Sequence, residues 1–258
     1  MDSERSVKST KTMFEIIELL CDKHITGVTE LAEELGLAKS TIHSHLNTMR
    51  EYGYVVKRDG KYQAGLRFFV TGNRIRSHYP LYEASRTELK TLSRETGEIT
   101  CCVKYENGDT ISIDGYAQDS SLNADIATGT VKPIHSTASG KAIMAKLSRE
   151  EVDSIINTYG LNPLTEQTIT NSSELYRSLD QIRDRGYALN IGEERKSYNS
   201  IGVAITAANG EVVGAITIGG AASRITREYC EDTLASQIME TADDIEINLS
   251  DPQRLGLH

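Results

Sequence analysis

Apolar positions in the first third of the chain follow a helical rhythm. Met13, Ile16, Ile17 and Leu20 keep the i, i+3, i+4, i+7 spacing of one buried stripe, with Ser9 or Thr10 available as cap, which predicts a first helix. A short second helix is predicted with Thr29 as its cap, Leu31, Ala32 and Leu35 inward, and Gly36 as its breaker. A third spans residues 39–52 with Ile42, Leu46 and Met49 inward. Ala32, Gly36 and Ile42 stand at the spacing of a helix-turn-helix: a small residue where two helices approach, a glycine for the turn, an apolar lock on the following helix. After Gly53 the rhythm changes, and residues 54–63 are strand formers bent at Asp59-Gly60, the signature of a tight hairpin or wing.

Leu66, Phe69, Val70 and Asn73 then open an amphipathic helix that reaches about Ser77. Pro80 separates it from another, which runs through Tyr82, Leu89 and Leu92 to Thr96 and stops at Gly97. Strand-like runs 99–105 and 110–116 flank Asn107-Gly108-Asp109, and further strands are expected at 187–190, 200–206 and 212–218, the last two joined at Asn209-Gly210. Helices are expected at 137–146, 149–159 and 174–185, with a closing helix that carries Leu234, Ile238, Ile245 and Leu249 on one stripe. This mixed order predicts an α+β architecture with a mainly antiparallel sheet: a winged helix-turn-helix over 1–66, a linker helix over 67–80 and a larger domain over 81–258.

Composition adds limits. A chain of 258 residues is long enough for a core in each of two domains. No apolar run approaches the ~18 residues of a membrane span, and nothing near Met1 resembles a secretory signal, so a cytoplasmic protein without membrane contact is expected. Cys21, Cys101, Cys102 and Cys230 are scattered and show no C-x-x-C spacing. Cys101 and Cys102 point to opposite faces of a strand, and all four are expected as small buried hydrophobes in a reducing compartment. Residues 1–70 hold ten Lys and Arg against ten Asp and Glu, so the net charge of -9 sits wholly in the remainder. Within the balanced part, residues 39–67 carry six bases and two acids, a local basic surface suited to phosphates.

With Ile42 turned inward, the third helix presents Ser40, His43, Ser44, Asn47 and Glu51 outward, flanked by Thr41 and Arg50. Ser40, Thr41, His43, Ser44 and Asn47 suit base edges in a major groove, while Lys39 and Arg50 reach phosphates. A solvated helix face would look the same; the adjoining wing, with Lys57, Arg58 and Lys61 at its tip, favours double-stranded DNA. No catalytic signature accompanies it. Gly140-Lys141 lacks the P-loop glycine at His135 and the hydroxyl at Ala142, and neither H-E-x-x-H nor G-x-S-x-G occurs. His43 and His45 diverge on a helix and cannot share a metal, and His135 reads as a structural or hydrogen-bonding histidine. No catalytic residue, metal or cofactor is expected. Two other readings stay open: a metabolite-binding protein whose helix-turn-helix serves assembly, and a redox sensor using Cys101 or Cys102, for which Lys104 is the one nearby cation in sequence.

The run Pro133-Ile134-His135-Ser136-Thr137-Ala138-Ser139-Gly140-Lys141-Ala142-Ile143-Met144-Ala145 resembles the most recognisable motif of the IclR family of prokaryotic transcription regulators. Val7-Lys8-Ser9, Leu37-Ala38-Lys39-Ser40-Thr41, Gly53-Tyr54-Val55, Leu66-Arg67-Phe68, Gly186-Tyr187-Ala188 with Glu193, and Gly210-Glu211-Val212-Val213-Gly214-Ala215 resemble family landmarks in the right order. The resemblance implies a GAF-like effector-binding domain behind the linker helix and dimers or dimers of dimers on palindromic promoter DNA. It also implies a small organic ligand, often a carboxylate, at Gly129, His135, Ala138, Asn190, Ser200, Thr217 and Gly219. These are short donors without an acid, which suits an anion. Departures fall at the same place: Asn190 stands for the usual acid, Ser200 for a frequent cysteine, Thr217 and Gly219 for a hydroxyl pair, and Ala221 for a proline. The ligand is therefore not carried over from any one relative.

Overall fold

The computed structural model describes residues 6–23, 26–118 and 128–251. The chain divides into two compact units, Met1–His78 and Tyr79–His258. In the first, α1 (Lys8–Lys23), α2 (Val28–Leu35) and α3 (Lys39–Glu51) enclose Ile16, Leu20, Leu31, Ala32, Ile42, Leu46 and Met49 together with Val55 and Tyr62 of a hairpin. Ala32 is buried where α2 meets α3, and Gly36 adopts φ +63°, so the helix-turn-helix forms on the residues whose spacing predicts it. The hairpin pairs β1 (Val55–Arg58) with β2 (Lys61–Ala64), and Asp59 and Gly60 both take positive φ (49° and 81°), as a two-residue turn of this hand requires. Thr26 bridges to Tyr62 through two backbone hydrogen bonds, 2.9 and 2.7 Å, which ties the wing to the entrance of α2.

The helix starts differ from expectation. Neither Ser9 nor Thr10 caps α1: the helix begins at Lys8, and the Val7 carbonyl accepts from the N–H groups of Thr10 and Lys11. Thr29 lies inside α2, whose N-cap is Gly27; the Glu30 carboxylate turns back to accept from the Gly27 N–H and the Thr26 hydroxyl instead. The linker helix α4 (Arg67–Arg76) has no buried residue. Leu66, Phe69 and Val70, the expected apolar stripe, are exposed, as is Ile75. The helix is held at its start by the Tyr54 and Phe68 rings, 4.7 Å apart edge to face, and by the Tyr54 hydroxyl against Thr71 at 3.3 Å.

In the second unit, α5 (Pro80–Thr96) takes Pro80 in its first turn and ends on Gly97 at φ +73°. A six-stranded antiparallel sheet follows, formed by β3 (Ile99–Glu106), β4 (Asp109–Tyr116), β5 (Val131–Pro133), β6 (Ala188–Arg195), β7 (Tyr198–Thr206) and β8 (Val212–Ala221), in the order β5-β4-β3-β8-β7-β6. Short β5 was not expected, and β6 continues past Asn190 through an irregularity at Gly192, φ +71°. On one face pack α5 and α10 (Ala235–Leu249), burying Leu89, Cys102, Ile201, Ile216, Ile238 and Ile245 among others. The closing helix is not continuous. A turn at α9 (Arg227–Tyr229) and a wider π turn over Cys230–Leu234 precede α10.

The other face carries α6 (Ala138–Lys146), α7 (Arg149–Tyr159) and α8 (Ser172–Arg185). Caps fix all three: Thr137 accepts from the Gly140 N–H, Ser148 and Glu151 form a reciprocal box, and Asn171 accepts from Ser173 and Glu174, so α8 opens two residues before the expected start. Every residue of α6 from Ala138 to Ala145 is buried. A Cβ at Gly202 on β7 would meet the Ala138 backbone at 2.9 Å, and one at Gly140 would sit 1.8 Å from the Ile134 carbonyl oxygen. Gly72 in α4, by contrast, has nothing near it.

These two glycines give opposite expectations in urea melts followed by circular dichroism. Gly140→Ala should lower the stability of the second unit by ~1–3 kcal/mol or more, because backbone has to move. Gly72→Ala should raise that of the first by ~0.5–1 kcal/mol through helix propensity.

Candidate functional site

On α3 the expected reading face is present and accessible. Lys39, Ser40, Thr41, His43, Ser44 and Arg50 are exposed and Asn47 is half-buried. Local bonds refine what each can offer. The Ser44 hydroxyl donates to the Ser40 carbonyl at 2.9 Å, so what it presents outward is lone pairs. His43 Nδ1 and Asn47 Nδ2 are 3.0 Å apart, so these two side chains act as one hydrogen-bonded unit. Ala38 precedes α3 with extended backbone and no side-chain cap, which leaves the first N–H groups of a 13-residue helix open to a phosphate. Arg58 and Lys61 are exposed at the hairpin turn, and Lys57 lies over the Tyr62 ring at 5.1 Å.

In the second unit the register places four expected residues on one face of the sheet. Asn190 pairs with Ser200, Ser200 with Gly219, and Thr217 with both Gly202 and Cys101. Ala138 joins this row through its contact with Gly202. His135 and Gly129 are engaged elsewhere. His135 Nε2 bonds the Asn162 carbonyl at 3.0 Å, and burial pulls its pKa below the usual histidine value, so the imidazole donates as a neutral ring and anchors the loop that follows α7. The Gly129 N–H is taken by the Ser112 carbonyl at 2.7 Å.

The surroundings of that row are not free of acids, contrary to expectation. Asn190 Oδ1 accepts from the N–H of Glu193 at 2.8 Å, and both Glu193 and Glu194 hang from the irregular stretch of β6. Each is matched: Glu193 forms a buried ion pair with Lys141 from α6, and Glu194 pairs with Lys132 at 2.6 Å. Burial opposes both charges of the first pair, raising Glu193 and lowering Lys141, and each partner counters the shift of the other. Asn190 Nδ2 and Glu193 Oε2 are buried and have no hydrogen-bond partner among the described residues. Thr165 and Thr168 strap the loop after α7 onto the same stretch, donating to the carbonyls of Gly192 and Glu193 at 2.7 Å each.

Tyr198 completes the site and was not foreseen. Its hydroxyl stands 2.0 Å from where a Cβ of residue 219 would lie, so the ring covers Gly219. The Lys132 ammonium and the Arg195 guanidinium lie 5.5 and 5.3 Å from the ring centre. Burial raises its phenol pKa far above the usual value.

A family model described as the bacterial transcriptional regulator IclR C-terminal domain matches residues 74–247, and one described as bacterial regulatory protein, arsR family, matches residues 10–57. The chain belongs to the IclR family. It is an IclR-type transcriptional regulator, with an N-terminal helix-turn-helix and a C-terminal IclR effector domain. The HTH-type transcriptional regulator KdgR of Escherichia coli is 28% identical over 232 residues, covering 89% of this chain and 88% of KdgR. A probable HTH-type transcriptional regulator ArcR of Halobacterium salinarum is 28% identical over 249 residues and 95% of each chain. The crystal structure of the Thermotoga maritima IclR superposes with a TM-score of 0.79 at 27% identity, over 94% of this chain and 99% of that one.

Membership in the IclR family also bears on the alternatives. These relatives are transcriptional regulators, not enzymes. Cys101 and Cys102 are buried and burial pushes their thiols up to about 11 and 12, so neither supplies thiolate at neutral pH. The expectation of four buried cysteines fails at Cys21, which is exposed on α1. Its thiol is also raised, by partial burial and by Glu18 and Asp22. Among the described residues no cluster of His, Cys, Asp and Glu could hold a metal, and no helix is long and apolar enough to cross a membrane.

The Lys141–Glu193 pair sets a pH-dependent expectation. Lys141→Met leaves Glu193 buried alone and should cost ~3–5 kcal/mol at neutral pH. A carboxyl whose folded pKa lies above its unfolded value of about 4.5 destabilises above the folded value and ceases to do so once protonated. The deficit against wild type should therefore shrink as pH falls toward 4.5, in denaturant melts across that range.

Proposed function

We propose that the chain reads palindromic double-stranded promoter DNA, with Ser40, Thr41, His43, Ser44 and Asn47 toward base edges and Lys39, Arg50, Arg58 and Lys61 toward phosphates. The observation that carries this reading is an exposed, hydrogen-bonding face on α3 beside a cationic hairpin tip within one compact unit. The regulator works as dimers or dimers of dimers, a reading supported by the exposed Leu66, Phe69, Val70 and Ile75 around α4.

The effector is a small organic metabolite, probed first as a carboxylate. Supporting this class are the Ser200 and Thr217 hydroxyls, the buried unpartnered donor of Asn190, and Lys132 and Arg195 beside the Tyr198 ring. Gly129, His135, Ala138 and Gly219 belong to the same proposal as framework: His135 and Gly129 hold loops, Ala138 packs on Gly202, and Gly219 admits the Tyr198 ring. Regulation follows when the ligand favours one arrangement of the protein over another, by ~1–3 kcal/mol of differential affinity.

Selection and sequencing of bound fragments from the host genome at two salt concentrations tests the DNA reading. Enrichment of one palindromic site supports it; uniform recovery that vanishes at high salt would remove it. On the selected site, Arg58→Ala should weaken binding about equally for all sequences and lower the log–log salt slope by roughly one. Asn47→Ala should cost ~1–3 kcal/mol and relax preference at one base position, read by competition titration.

A further inference from the structure

On the opposite face of the sheet from the Asn190–Ser200–Thr217 row, the second unit contains a cavity of about 440 Å³. Its walls are largely apolar, with Pro80, Leu81, Val213 and Leu249 facing it, and its volume falls within the ~300–1,000 Å³ of small-molecule sites. One cation lines it. Lys104, on β3, is half-buried, donates to the Val213 carbonyl and stands 5.1 Å from the centre of the Tyr79 ring. No carboxylate lies within ion-pair distance of it among the described residues, and burial lowers its pKa.

A lysine ammonium has three donors, and hydrogen bonds among the described residues use one of Lys104's. Among the described residues the cavity wall carries no counter-charge, and a half-buried cation gains most from an anion that also excludes water. The acids that act on Lys104 from a distance, Glu106 and Glu211, disfavour an occupant with more than one negative charge. The room for both the Leu81 and Lys104 side chains depends on Gly214, where a Cβ would meet Leu81 Cδ2 at 2.5 Å. The cavity is thus shaped by backbone packing rather than left over between mobile chains.

We propose that this cavity is a second small-molecule site, separate from the sheet-row site, and that it takes a monocarboxylate with a compact apolar body. The carboxylate pairs with Lys104 and the body packs on Pro80, Leu81, Val213 and Leu249. Tyr79 and Pro80 are the first residues of the second unit, so an occupant touches the chain directly after the linker helix.

The protein has no tryptophan, so Ala208→Trp on the exposed rim of the cavity provides a single emission reporter. Phenylacetate is the probe and phenylacetamide its uncharged control. The expected result is a saturable emission change with phenylacetate, weakened at least about tenfold (~1.4 kcal/mol) for phenylacetamide and in Lys104→Met, and restored in Lys104→Arg. Thr217→Val, in the other site, should leave the titration unchanged. Calorimetry of the protein without the reporter should give the same affinity, and thermal melts confirm that each variant is folded. Absence of saturable binding by both methods overturns the proposal, as does equal affinity for the amide. So does loss of phenylacetate binding in Thr217→Val with retention in folded Lys104→Met.

Discussion

Where α6 starts, no side chain fits between it and β7. At Gly202 the helix backbone of Ala138 and Ser139 lies within van der Waals contact of the strand, and at Gly140 the preceding turn closes on the helix itself. Because α6 sits this deep, every residue from Ala138 to Ala145 is removed from water, Lys141 included. A buried ammonium requires a carboxylate, and Glu193 supplies it from β6 where the strand departs from regular register. That departure in turn exposes the carbonyls of Gly192 and Glu193 to Thr165 and Thr168, so the loop after α7 is tied down at the same point. The candidate effector site is the polar remainder of this close packing.

Much of the first unit was legible because each of its elements carries its own pattern within a few residues, although they pack on one another across the whole unit. Apolar periodicity marked Ile16, Leu20, Ile42 and Leu46, and Asp59-Gly60 marked its own turn. The caps were misread where two local solutions compete: Thr29 is a good cap by type, yet Glu30 bonding back to Gly27 starts α2 two residues earlier. Strand β5 is three residues long and draws its stability from β4, so no pattern of its own announces it. Gly192 broke the alternation that would have extended β6.

The site residues divide along the same line. Asn190, Ser200, Thr217 and Gly219 came from resemblance to a family, and only the cross-strand register shows that they form one row. Tyr198 and Lys132 matter because of what lies beside them on other strands, which no spacing along the chain encodes. His135 was visible as a residue but not as an anchor, since its partner is a backbone carbonyl 27 positions away. Of the acids that give the second unit its negative charge, Glu193 and Glu194 are largely buried and paired, which a charge count along the chain does not reveal.

The contact between Tyr198 and Gly219 also constrains how this protein changes over generations. The phenol oxygen occupies the space that any Cβ at 219 would need. Replacement at 219 is therefore open chiefly to a lineage that has already given up the tyrosine, whereas loss of the tyrosine does not require a change at 219. The two positions are therefore coupled in one direction only: a side chain at 219 needs the tyrosine gone, while position 198 can change alone.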